Sequence, residues 1–142
     1  MIRKLKPTEL SSVMQIWLEA NLEAHNFVNA EYWHSHSEEV RKMLMTSEIY
    51  VYEDEAEQKV TAFIGLIDHF IGGLFVHRAY RSTGIGKELI DYVKTFKAYL
   101  VLHVFQKNEA AFRFYQREGF LVNQTLSDDS TGEKTYEMVW EK

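Results

Sequence analysis

The stretch "LFVHRAYRSTGIGKELIDYVK" (74–94) combines an apolar run, a basic turn with two glycines and an amphipathic helical pattern. The first amides of a helix have no intrahelical partner, and the helix dipole places partial positive charge there. Gly84 and Gly86 let the backbone approach an anion closely. Arg81 and Lys87 can add charge-assisted contacts. The stretch therefore predicts a strand, a phosphate-binding loop and a helix, the alternative being a tight turn that binds nothing.

Two familiar phosphate-binding loops do not fit this turn. A Walker A loop has glycine five positions before Gly86, where this chain has Arg81, and Ser or Thr after Lys87, where it has Glu88. A dinucleotide-binding fingerprint has a third glycine at the position of Leu89. These mismatches disfavour a nucleotide-binding protein.

The composition is that of a soluble globular protein, and 142 residues predict one domain, residues 1–142. A net charge of −5 argues against nucleic-acid binding. No apolar run is long enough to cross a membrane, and the start "MIRKLKPTEL" lacks a secretory apolar segment, so we expect a cytoplasmic protein. Cysteine is absent, which excludes disulfides and a cysteinyl acyl-enzyme.

Apolar periodicity predicts the element order β-α-α-β-β-β-α-β-α-β-β around one mixed sheet, an α/β or α+β fold. In the second helix, Val40, Met43 and Leu44 are the expected buried side. In the helix that follows the glycine turn, the expected buried side is Ile85, Leu89, Ile90 and Val93. The run "YLVLHVF" (99–105) is almost continuously apolar, which favours a strand covered on both faces. The pair Gly72 and Gly73 in the run "FIGGLFV" (70–76) predicts a bulge or a close backbone approach in that strand.

Two segments together identify a family. The stretch 74–94 resembles the acetyl-CoA-binding motif of the GNAT superfamily of N-acetyltransferases, in which (Q/R)-x-x-G-x-(G/A) opens a helix. Arg81, Gly84 and Gly86 match that motif. The segment "LVLHVFQKNEAAFRFYQREGF" (100–120) resembles the family's next strand and Asn-capped helix. The element order fits over nearly the whole chain, and other segments are similar to the small bacterial members of the YiaC and YjaB type.

The resemblance implies acetyl-CoA as cosubstrate. Asn108 matches a family asparagine that touches the cofactor arm, and it also suits a helix N-cap. Phe75 on the cofactor strand is equally compatible with a core position. The implied cofactor contacts are Leu74, Phe75 and Val76 for the pantetheine arm, and Arg81, Ser82, Thr83, Gly84, Ile85, Gly86 and Lys87 for the pyrophosphate.

The resemblance also implies catalytic residues. Tyr115 matches the tyrosine that protonates the departing CoA thiolate, although its spacing also suits a core residue. His103 occupies the position where several members carry a glutamate base, and an unperturbed imidazole titrates close to neutrality. A histidine satisfied by its sheet neighbours is the alternative. His69 is a second candidate base, and a backbone amide at the glycine bulge would stabilise the oxyanion.

The segment between the first two helices commonly forms the acceptor wall in this family, which points to His25, Tyr32 and Trp33. The acceptor is a primary amine: a protein lysine, a protein N-terminus or a small amine. A non-catalytic CoA-binding sensor or interaction module is the alternative function. The histidine spacing indicates no metal site.

Overall fold

The computed structural model describes residues 1–142. Its seven strands form one mixed sheet in the order β1-β2-β3-β4-β5-β7-β6. The strands are β1 (Ile2–Lys4), β2 (Glu48–Asp54), β3 (Lys59–Ile67), β4 (Phe70–Val76), β5 (Tyr99–Phe105), β6 (Leu121–Ser127) and β7 (Lys134–Glu141). The helices are α1 (Leu10–Ala24), α2 (Ala30–Thr46), α3 (Ile85–Lys94) and α4 (Glu109–Arg117). The predicted element order and fold class are confirmed.

Helices cover the two faces of the sheet unequally. Helices α1 and α2 pack on one face around Val51 and Phe63. Helices α3 and α4 pack on the other around Leu89, Leu100 and Phe120, and this cluster is the larger one. The four residues expected to be buried from the helical pattern, Ile85, Leu89, Ile90 and Val93, are the buried side of α3. No helix is both long and apolar enough to cross a membrane.

Strand β4 carries the predicted bulge. Gly65 of β3 pairs with Gly73, but the next residue, Leu66, pairs with Ile71. Gly72 is therefore the extra residue, left without a partner on β3. The bulge turns the remainder of β4 relative to its neighbours.

Strands β4 and β5 are parallel and separate at the bulge. They pair only at Phe70 with Val101 and at Ile71 with Leu102, whereas β5 pairs with β7 along its whole length. From Gly72 onward, the edge of β4 that faces β5 has no strand beside it. The sheet is thus open between its two central strands, next to the turn that leads into α3.

Two expectations about burial are wrong. Met43 is 51% exposed, because α2 packs through Trp33 and Leu44 instead. Strand β5 alternates rather than being covered on both faces. Its residues Leu100, Leu102 and Val104 are buried under α3 and α4, but α1 and α2 do not extend over most of its other face.

Candidate active site

A cleft of about 520 Å³ opens where β4 leaves β5. One wall is the end of β4 with the following turn and the first residues of α3. The other wall is α4, from Asn108 before it to Glu118 after it, and the end of α1 closes one side. Most of the residues predicted to contact the cofactor line this cleft, namely Leu74, Phe75, Val76, Arg81, Ser82, Gly84, Ile85, Gly86, Lys87 and Asn108. Tyr115 and His25 line it as well.

The turn into α3 is built for exposed backbone amides. Ser82 has φ +62° and Gly84 has φ +88°, both in the left-handed region. Gly84 is the N-cap of α3, and no side chain caps its first amides. Such a turn forms a concave array of N–H groups at a helix N-terminus, which is an anion-binding arrangement. Thr83 does not line the cleft, and its hydroxyl donates to the carbonyl of Tyr80 at 2.6 Å.

Both basic side chains of the turn have acidic partners. Arg81 Nη1 lies 2.6 Å from a carboxylate oxygen of Glu23, which α1 supplies. Lys87 Nζ lies 3.0 Å from Asp91 and 3.4 Å from Glu118. These exposed pairs are weak, so both cations stay available to an anion in the cleft.

The open edge of β4 supplies the third part of the cleft. Leu74 and Val76 pack partly against the larger core, whereas Phe75 packs on the opposite side with its ring 5.5 Å from that of Phe63. Phe75 therefore lines the cleft and also contacts the core. Side chains alternate along a strand, so the backbone of this segment is what faces β5.

Asn108 begins α4 as predicted. Its side-chain oxygen accepts a hydrogen bond from the backbone N–H of Ala111 at 3.2 Å. Its side-chain nitrogen lies 2.9 Å from Nε2 of His25. On the other side of the imidazole ring, Nδ1 of His25 lies 2.7 Å from Oδ1 of Asn21. Burial lowers the pKa of His25 from 6.5 to about 4, so its ring is neutral at pH 7.

Tyr115 lies two helical turns after Asn108, on the same wall of the cleft. The residue is only 8% exposed and packs edge-on against Phe114 and Phe120. No protein group hydrogen-bonds to its hydroxyl, and burial raises the pKa of the phenol well above its ordinary value. At neutral pH, this buried side chain is a protonated donor whose hydrogen bond is free for a ligand.

His103 lies on the other face of β5, away from Tyr115, with a side chain that is 41% exposed. Its Nε2 lies 3.2 Å from Glu137 of β7, the residue directly opposite in the register. The side-chain amides of Asn123 and Gln124 donate to the second oxygen of Glu137 at 2.7 and 3.1 Å. These bonds, together with His103, lower the pKa of Glu137. The imidazole therefore has a carboxylate partner that fixes its orientation.

Five predicted residues do not line the cleft: Thr83 and His103, described above, and His69, Trp33 and Tyr32. His69 lies at the β3–β4 turn, where its ring stacks on Tyr99 at 3.9 Å and its Nδ1 lies 3.1 Å from the carbonyl of Tyr99. Trp33 is buried between Trp17 and His25, so it is a core residue rather than part of an acceptor wall. Tyr32 stacks on His36 along α2.

Sequence reasoning missed Asn21, Glu23 and Glu137. A signal existed for Asn21, because it follows Trp17 and precedes His25 by four residues each and so continues the buried face of α1. Glu137 is an acidic residue within an apolar strand pattern, but its pairing with His103 depends on the register of β5 and β7.

Comparison with known proteins agrees with the geometry. Residues 45–122 match the family model described as "Acetyltransferase (GNAT) domain". The peptidyl-lysine N-acetyltransferase YiaC of Escherichia coli is 33% identical over 99% of this chain and 96% of its own. The peptidyl-lysine N-acetyltransferase YjaB of the same organism is 28% identical over 97% of this chain and 92% of its own.

Solved structures show the same architecture. The solution structure of apo-form YjaB from Escherichia coli has a TM-score of 0.87, with 25% identity, and covers 99% of this chain and 96% of that chain. The PaiA N-acetyltransferase from Thermoplasma acidophilum, solved in complex with coenzyme A, has a TM-score of 0.82. It is 20% identical and covers 100% of this chain and 98% of that chain, which supports the fold. The predicted resemblance is confirmed, the non-catalytic alternative is not favoured, and the chain belongs to the GNAT family of N-acetyltransferases.

Proposed function

We propose that this enzyme transfers the acetyl group of acetyl-CoA to the ε-amine of a lysine in a protein. The observation that carries the proposal is the cleft, in which an anion-binding turn and an open strand edge form one wall and a buried phenol donor lies on the opposite wall. The lysine acceptor is supported by the names of YiaC and YjaB, both peptidyl-lysine N-acetyltransferases.

The groups that line the cleft match the chemical groups of acetyl-CoA in their order. The turn from Arg81 to Lys87 would hold the pyrophosphate through its amides and its two cations. The unpaired edge of Leu74–Val76 would hydrogen-bond the pantetheine arm as an added strand would. Asn108, across the cleft, would contact the same arm.

The bound cosubstrate supplies an activated acetyl group as a thioester. Tyr115 would donate its phenolic proton to the departing thiolate, a role that its protonated, unpartnered hydroxyl suits. An amide at the Gly72 bulge or at Leu74 would donate a hydrogen bond to the developing oxyanion.

The amine must lose a proton before it attacks. We propose His103 as the base, directly or through water, because its imidazole is oriented by Glu137 at 3.2 Å. His69 is the weaker candidate, since its ring is stacked and hydrogen-bonded at the far end of β4. A net charge of −5 favours a cationic acceptor such as lysine. The cytoplasm is the location we propose, and the lack of cysteine is consistent with it.

The first experiment is a thermal-shift titration with acetyl-CoA, CoA, ATP and NAD. A ligand that binds only the folded state raises the melting temperature with its concentration. Stabilisation by both CoA forms and not by ATP or NAD is the expected result. No shift with millimolar acetyl-CoA would overturn the cofactor assignment.

The second experiment tests the acceptor by mass spectrometry. The panel contains an N-terminally blocked peptide with one lysine, the same peptide with arginine instead, an unblocked peptide without lysine, and spermidine. Acetylation of the lysine peptide alone is expected. Acetylation of spermidine or of the free N-terminus alone would refute the lysine acceptor while leaving acetyl transfer intact.

A further inference from the structure

A chain of directed hydrogen bonds joins α1 to the first turn of α4 beneath the cleft. It runs from the carbonyl of Trp17 through Asn21 and His25 to Asn108, and ends at the backbone N–H of Ala111. Its links measure 2.8, 2.7, 2.9 and 3.2 Å in that order. This series of hydrogen bonds uses both ring nitrogens of His25, a residue with no role in the proposed acetyl-transfer chemistry.

Backbone groups at both ends fix the direction of every bond. The Trp17 carbonyl can only accept, so Asn21 must present its nitrogen there and its oxygen to His25. The Ala111 N–H can only donate, so Asn108 must present its oxygen there and its nitrogen to His25.

One protonation state of the imidazole satisfies these constraints. Nδ1 must carry the hydrogen that Oδ1 of Asn21 accepts, and Nε2 must be bare to accept from the Asn108 amide. In an imidazolium, or in the Nε2–H tautomer, Nε2 of His25 would be a donor that faces the donor amide of Asn108 at 2.9 Å. The rings of Phe27, Trp33 and Phe105 surround the imidazole and favour its neutral form.

We infer that His25 is a positioning residue, which holds the Asn108 carboxamide in a single orientation for the acetyl-CoA arm. The inference rests on the proposed cofactor site. One amide hydrogen of Asn108 is directed to His25, and the second has no protein partner and remains for a ligand in the cleft. This role replaces the acceptor-wall role expected for His25.

The tautomer is tested first, on the wild-type protein without any ligand. Nitrogen-15 NMR at pH 7 should show a protonated Nδ1 and a bare Nε2 in His25. A scalar coupling across the hydrogen bond should join Nε2 to the side-chain nitrogen of Asn108. A protonated Nε2, or no coupling to Asn108, overturns the inference whatever the protein binds.

Two substitutions then test the consequence for binding. His25→Phe keeps an aromatic ring among its neighbours but removes both hydrogen bonds. His25→Gln can donate to Asn21 and accept from Asn108, so it is the matched rescue variant. We expect His25→Phe to weaken CoA binding about tenfold by calorimetry, the equivalent of one hydrogen bond, and His25→Gln to stay within about threefold. Turnover at saturating acetyl-CoA and the KM for the lysine peptide should change less than the KM for acetyl-CoA.

A double-mutant cycle separates positioning from general packing. In an Asn108→Ala background, His25→Phe should cause no further loss of CoA affinity, because the group it positions is gone. An equal loss in both backgrounds, or wild-type affinity in His25→Phe alone, would overturn the inference. If His25→Phe does not fold, the NMR coupling decides the question. Wild-type protein that fails to bind CoA refutes the proposed cofactor site instead, whatever the tautomer.

Discussion

Tyr115 and His103 lie on opposite faces of the sheet, on the two sides of the opening between β4 and β5. Tyr115 packs into the cluster under α3 and α4, whereas His103 shares its face of β5 with Phe105, which packs against the α1 and α2 cluster. A thioester in the opening would have a proton donor on one side and a proton acceptor on the other. Because the two groups lie on opposite faces, their substitutions should have additive effects on the free energy of unfolding.

Tyr115→Phe removes only the buried hydroxyl. We expect kcat to fall at least about 100-fold, the usual contribution of a general acid, with little change in the affinity for acetyl-CoA. Steady-state kinetics with free-thiol detection measures both quantities. Because the hydroxyl has no protein hydrogen bond, the melting temperature should fall by no more than a few degrees. Unchanged kcat would exclude Tyr115 as the acid.

Glu137→Gln keeps the shape of the His103 partner but removes its charge. The carboxylate orients the imidazole, so its loss should lower kcat/KM about tenfold, the effect of losing one hydrogen bond to a charged group. His103→Gln should lower kcat/KM at least about 100-fold, the usual contribution of a general base. Lys107→Met, which removes an exposed cation paired with Glu133 at 3.2 Å, is the control and should leave kcat/KM unchanged. Wild-type kcat/KM in His103→Gln would exclude His103 as the base.

His25 makes stability depend on pH in a stated direction. Its pKa is lowered from 6.5 to about 4 in the fold, so the unfolded chain takes up a proton that the folded chain does not. This contribution is present above pH 6.5 and is lost as the pH falls towards 4. Between pH 7 and 4.5, urea unfolding of the wild type should lose roughly 2 to 3 kcal/mol more than that of His25→Gln. Equal losses would contradict a neutral, buried His25.

Gly84→Ala tests whether the left-handed turn serves a ligand. A Cβ at Gly84 meets no atom within 4 Å, so its cost is the strain of φ +88°, about 1 kcal/mol of unfolding free energy. Gly132→Ala is a matched control, with φ +74° and equally open space in the β6–β7 turn. Both variants should lose similar stability, but only Gly84→Ala should bind CoA more weakly. Equal CoA affinity in the two would separate this turn from the cofactor.

The sequence predicted the features that depend on local spacing. The turn at Gly84, the Asn108 cap and the four buried residues of α3 each lie within a few positions of the pattern that indicates them. The bulge was predictable as well, because adjacent glycines are poor residues for a regular strand.

Features that depend on tertiary contacts were not predictable. Glu137 meets His103 only through the pairing of two strands 34 residues apart, and Asn108 meets His25 across 83 residues. A helical pattern likewise cannot decide which of two adjacent apolar residues faces inward, which is why Met43 was expected in the core in addition to Leu44.

The short pairing of β4 with β5 has a consequence for the cooperativity of the fold. Within the sheet, the opening separates β1–β4 from β5–β7, which are joined by only two residue pairs, although the cluster under α3 and α4 spans both groups of strands. A pantetheine arm bonded to both walls would link these two groups as a missing strand would. Binding of CoA should therefore slow amide hydrogen exchange in β5 and in β7, although neither strand lines the cleft.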